Sequence, residues 1–66
     1  MQKLTFNTTK KTVEVIVEGV QEFYFENVPT VKVADGYYEV LQTGDDDRTT
    51  PVLRVPINQT NMVIER

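Results

Sequence analysis

The side chains of this sequence resist helix formation along most of its length. Eleven Val, nine Thr and three each of Ile, Phe and Tyr account for 29 of the 66 residues. Branching at Cβ, or an aromatic ring, restricts χ1 and suits a pleated surface better than a helical one. The strong helix formers are nearly missing, with one Ala and three Leu. An all-β chain is therefore expected. One pattern tests that expectation. Glu14, Glu18, Glu22 and Glu26 recur at every fourth residue, as on a charged helix face. Gly19 and the run of Val13, Val15, Ile16 and Val17 oppose a helix there. A spacing of four is also even, so within a strand it stays on one face.

The polar and apolar alternation divides the chain into short strands. Residues 3–8 place Leu4 and Phe6 on one side, and residues 12–18 place Val13, Val15 and Val17 together. Joined as a hairpin through the polar turn Thr8-Thr9-Lys10-Lys11, they set Phe6 opposite Val13 and Leu4 opposite Val15, so the apolar faces coincide. Gly19 marks a bend or bulge. Residues 20–26 form a third strand, with Phe23 and Phe25 inward and Glu22, Tyr24 and Glu26 outward, ended by Asn27-Val28-Pro29.

The strongest local signal is Asp35-Gly36 between two alternating runs, which predicts a two-residue type I′ hairpin. Its register pairs Ala34 with Tyr37, Val33 with Tyr38, Lys32 with Glu39 and Val31 with Val40. Lys32 and Glu39 then form an opposite-charge pair on one face. Residues 44–51 read as a solvated loop, and residues 52–57 as a strand with Leu53, Val55 and Ile57 on one side. Pro56 cannot donate to a ladder, so that strand lies at an edge or carries a bulge. Asn58-Gln59-Thr60 turns the chain into a last short strand, 61–65. The expectation is a single domain over residues 1–66, with six or seven short strands in antiparallel meander order. A small barrel of SH3-like or OB-like size, or a two-sheet sandwich, fits.

Composition limits the chemistry. The chain has no Ser, Cys, His or Trp. That removes Ser-His and Cys-His nucleophiles, thiol redox chemistry and the usual His/Cys zinc sites. A non-enzymatic protein without cofactor or metal is expected. The net charge of −3 argues against nucleic acid as a partner. No 18-residue apolar run is present to span a membrane, and residues 1–5 lack the apolar run of a signal peptide. A cytoplasmic protein, read as a complete small open reading frame, is expected. Sixty-six residues give a marginal core, and no disulfide supports it, so self-association is expected.

Two surfaces are candidates for binding. Glu14, Glu18, Glu22 and Glu26 with Tyr24 form an acidic stripe containing an aromatic, suited to a protein partner. Lys10, Tyr37, Arg48 and Arg54 could surround a small anionic ligand such as a nucleotide, once an oligomer brings them together. Arg54 stands out because Val52 and Pro56 flank it on the outer face of its strand, as though that face were covered. The run Asp45-Asp46-Asp47 lacks the spaced oxygens of a calcium loop and reads as a solvated acidic loop. The sequon Asn58-Gln59-Thr60 is discounted because nothing indicates secretion.

The stretches Asp35-Gly36-Tyr37-Tyr38-Glu39-Val40, Pro51-Val52-Leu53-Arg54-Val55-Pro56-Ile57 and Thr60-Asn61-Met62-Val63-Ile64-Glu65 resemble small uncharacterised proteins of phages and prophages in Gram-positive bacteria. The resemblance covers the C-terminal half and transfers no site residues. It implies a host-cytosol context in which small acidic proteins inhibit host enzymes or sequester signals. Three functions are therefore expected in order: a protein-interaction module or inhibitor, an oligomer that sequesters a small anion, and a virion or assembly subunit.

Overall fold

The computed structural model describes residues 1–66 and contains seven strands. They are β1 (Gln2–Asn7), β2 (Thr12–Val17), β3 (Val20–Phe25), β4 (Thr30–Ala34), β5 (Tyr37–Thr43), β6 (Thr49–Pro56) and β7 (Thr60–Glu65). The only helix is a three-residue 3₁₀ turn, Ile57–Gln59, so no helix is long and apolar enough to cross a membrane. The strands form two sheets, a larger one ordered β3-β2-β1-β7 and a smaller one ordered β4-β5-β6. The all-β expectation holds, and of its two architectures the sandwich is realised, without a closed barrel.

Turn chemistry sets the registers. Asp35 and Gly36 both take positive φ, at 52° and 81°, as a type I′ turn requires. The pairs Ala34–Tyr37, Val33–Tyr38, Lys32–Glu39 and Val31–Val40 follow as expected. Glu18 and Gly19 repeat the same geometry, with φ of 51° and 79° between Val17 and Val20. Gly19 is thus half of a second hairpin turn rather than a bulge. The bulge falls next to it, where Glu22 has no partner on β2. The first hairpin pairs Phe6 with Val13 and Leu4 with Val15, in the register the sequence indicates.

The meander does not continue to the end. β7 pairs with β1 in parallel, from Gln2–Thr60 to Asn7–Glu65. Each connection reverses the chain, so odd-numbered strands run the same way and an adjacent first and last strand must be parallel. Two crossings carry the chain between sheets. The first, residues 26–29, buries the Val28 side chain completely. Its backbone grips both sheets. The Val28 amide donates to the Lys11 carbonyl at 2.9 Å, and the Thr43 amide donates to the Asn27 carbonyl at 2.9 Å. The second crossing holds Ile57 to the Gly36 carbonyl at 2.9 Å. Thr60 there donates its hydroxyl to the Pro56 carbonyl at 2.6 Å and accepts from Gln2 Nε2 at 3.1 Å.

The crossings carry the chain from β3 to β4 and from β6 to β7, and the two sheets meet chiefly through their central strands. The core between the sheets is Leu4, Phe6, Val13, Val15, Val28, Val40 and Val55. Half-buried Val17, Phe25, Val31, Tyr38, Leu53 and Met62 surround it. Four strands over three leave part of the larger sheet uncovered. Phe23 faces inward as expected, yet it remains 45% exposed. The last strand pair also differs from the sequence reading. β6 begins at Thr49, carries Val52 as an extra residue opposite the Val40–Leu41 step, and ends at Pro56. It is an edge strand, which accommodates Pro56, and its bulge lies at Val52 rather than at the proline.

Only nine residues are buried, so single core truncations should be felt strongly. Val28→Ala is expected to lower stability by about 2 kcal/mol in urea unfolding, while Val33→Ala, at an exposed site, should stay within about 0.5 kcal/mol. Glu18→Asn should raise stability by about 0.5 kcal/mol, read as a higher urea midpoint, because Asn tolerates the left-handed turn position better than Glu.

Candidate functional site

The larger sheet is least covered at its edges, at Ile64 of β7 and, more extensively, on β3. The β3 main chain pairs with β2 on one side only, leaving a free edge. Its inward-facing Val20 and Phe23 are 59% and 45% exposed, and outward-facing Tyr24 is 52% exposed. Phe23 and Phe25 stack with ring centroids 6.2 Å apart and planes 7° from parallel, forming one apolar surface on the inner side of the strand. Of the other three edges, β7 also lacks Pro and Lys but offers no aromatic pair, while the remaining two carry blocking residues. β6 carries Pro51 and Pro56, and β4 carries Lys32 at its centre; both devices discourage strand addition. β3 has neither Pro nor Lys, and only the bulge at Glu22 interrupts it.

The acidic stripe is redistributed by the fold. Glu18 lies in the β2–β3 turn, where its Oε1 accepts from the Met1 ammonium at 3.3 Å. Glu22 is the unpaired bulge residue of β3, and Glu26 lies just past the end of β3, in the first crossing. These three carboxylates follow the β3 edge from one end to the other. Glu14 is separate from them. It sits half-buried on the outer face of β2, directly across from Tyr24. Strand alternation alone could not show this, because the turn at Glu18-Gly19 and the bulge at Glu22 each change which way the following residues point.

Glu14 and Tyr24 line a shallow trough of about 180 Å³ on the outer face of the larger sheet. Thr5 and Asn7 of β1, Thr12 of β2, Glu65 of β7 and Lys10 of the first turn complete it. Lys10 is positioned by Asn7, whose Oδ1 accepts from the Thr9 and Lys10 amides at 3.1 and 2.8 Å. A second depression, about 400 Å³, opens at the other end of the sandwich between Met1, Gln2, Val17, Asn58 and Gln59.

The remaining anion-binding candidates do not converge. Tyr37 and Arg54 share the outer face of the smaller sheet, while Lys10 is on the larger sheet and Arg48 is in the loop after β5. Both arginines face carboxylates. Arg54 Nε donates to Glu39 Oε2 at 2.7 Å, and Arg48 Nε lies 3.7 Å from Asp46 Oδ2. The expected Lys32–Glu39 pair is in register, but the close ion pair of Glu39 is with Arg54 on its other side. That pairing accounts for the mid-strand arginine without any cover over the face. Asp46 also accepts from the Arg48 amide at 3.1 Å, so part of the acidic run serves to shape its own loop.

Comparison with family models, curated proteins and solved structures gave no match for this chain.

The Arg54 side chain is 66% exposed and that of Glu39 only 14%. Exposed pairs of this kind contribute under about 1 kcal/mol. Arg54→Met should therefore cost less than about 1 kcal/mol at low salt, and the loss should shrink in concentrated NaCl, as read from urea midpoints at both salt concentrations.

Proposed function

We propose that this protein is a non-enzymatic binding module whose contact surface is the free edge of β3. The observation that carries the reading is the uncovered Val20 and Phe23 beside a strand edge without a blocking residue. A partner presenting an extended segment would add as a further strand. Main-chain hydrogen bonds would supply affinity, and contacts with Val20 and Phe23 would supply selectivity. Glu18, Glu22 and Glu26 along the same edge favour a segment bearing basic side chains. An inhibitor of a host enzyme, the role implied by the resemblance to small phage proteins, would use a surface of this kind in the host cytosol. Capture of a small anion has less support, because Arg48 and Arg54 already face carboxylates and Lys10 shares its trough with Glu14 and Glu65.

A photo-crosslinking residue at Glu22, introduced into the protein in its producing cells, tests this reading. One discrete heterologous adduct is expected. It should disappear with Phe23→Lys, weaken several-fold with charge reversal at Glu18, and be missing when the crosslinker sits at Thr50 on β6. Equal labelling from both positions would overturn the proposal. Adducts of the protein with itself alone would replace it with a structural assembly role.

A further inference from the structure

A different surface carries a second binding site. We infer that the outer-face trough of the larger sheet binds a neutral saccharide, with the Tyr24 ring as its platform. The residues come from all four strands of that sheet and are aligned by the ladder. Thr5, Glu14 and Tyr24 form one cross-strand row, and Thr12, Asn7 and Glu65 form the next. From β3 to β7 the trough spans about 14 Å, three interstrand spacings, enough for a short oligosaccharide lying across the strands.

Its hydrogen-bonding groups are unengaged within the protein. The hydroxyls of Thr5, Thr12 and Tyr24, the carboxylates of Glu14 and Glu65 and the Lys10 ammonium make no side-chain hydrogen bond or ion pair. Asn7 uses only its Oδ1, on the turn amides, which leaves Nδ2 as a donor. Polar side chains of the smaller sheet do engage one another or the main chain, Arg54 with Glu39, Thr43 with Thr49 and Gln42 with the Glu26 carbonyl, whereas in the trough seven neighbouring residues leave such groups free together. Donors and acceptors therefore alternate over a small area beside an exposed ring. A sugar presents the complementary surface, with hydroxyls around its rim and an apolar C–H face that packs against an aromatic ring.

Charge separates this ligand class from others. Lys10 opposes a cation, while Glu14 and Glu65 oppose an anion. A neutral ligand that both donates and accepts meets neither penalty. The site is also independent of the strand-edge contact, which uses Val20, Phe23 and the free main chain of β3.

Titration of the isotopically labelled protein, followed by amide chemical shifts, tests the inference. The probes are cellotriose, maltotriose and N-acetylchitotriose, with trilysine and inorganic phosphate as charged controls. At millimolar concentration at least one trisaccharide should shift Thr5, Thr12, Glu14 and Tyr24 together. Tyr24→Ala should weaken that binding about tenfold, the scale of one aromatic contact. Glu14→Gln should weaken it less, and Phe23→Lys should leave it unchanged. Silence from all three trisaccharides, or a stronger response to trilysine or phosphate at these residues, would overturn the inference. Loss of binding in Phe23→Lys with native unfolding behaviour would also overturn it, by assigning the ligand to the strand edge.

Discussion

Of the two crossings that join the sheets, the one at Asn27 and Val28 ties its main chain to both. One amide and one carbonyl there reach opposite sheets, and the side chain between them is completely buried. Asn27 adopts a positive φ of 59°, which turns the chain sharply at the end of β3. The exposed inner face of β3 has a related origin: the buried core gathers on β1, β2, β5, β6 and the Val28 crossing, so the β3 edge of the larger sheet receives little cover.

Local features of the fold were legible in the sequence where a turn and an alternating pattern agreed. The Asp35-Gly36 hairpin, the Leu4–Val15 and Phe6–Val13 pairs and the edge position of the Pro56 strand are of this kind. What escaped depended on backbone geometry with no distinctive residue to mark it. Glu is an unusual occupant of the left-handed position that Glu18 takes, so the sequence marks this turn only as a bend or bulge at Gly19. The bulge at Glu22 and the burial of Val28 arise from how β3 meets the crossing, not from local composition. The parallel β1–β7 pair requires knowing that the chain changes sheets twice.

The candidate surfaces were legible only in part, for the same reason. Even spacing suggested that Glu14, Glu18, Glu22 and Glu26 share one face, but a turn and a bulge intervene. The fold separates Glu14 from the other three and brings it to Tyr24 and Lys10, residues assigned to two different surfaces by sequence. Arg54 shows the converse. It stands out in the sequence as a cation between apolar Val52 and Pro56, as though its face were covered, yet its partner Glu39 is one strand away, in the register that the sequence pairs with Lys32.

The parallel union of the first and last strands has a consequence for how the molecule forms. Gln2 and Thr60, joined by a side-chain hydrogen bond, are 58 positions apart. The hairpins can close from neighbouring residues, but β1 cannot complete its ladder until residues 60–65 are available. During synthesis, the larger sheet therefore waits with one edge of β1 open until residues 60–65 have left the ribosome. Contacts of such long sequence separation slow folding. Truncation within β7 would remove the strand that shields the free side of β1.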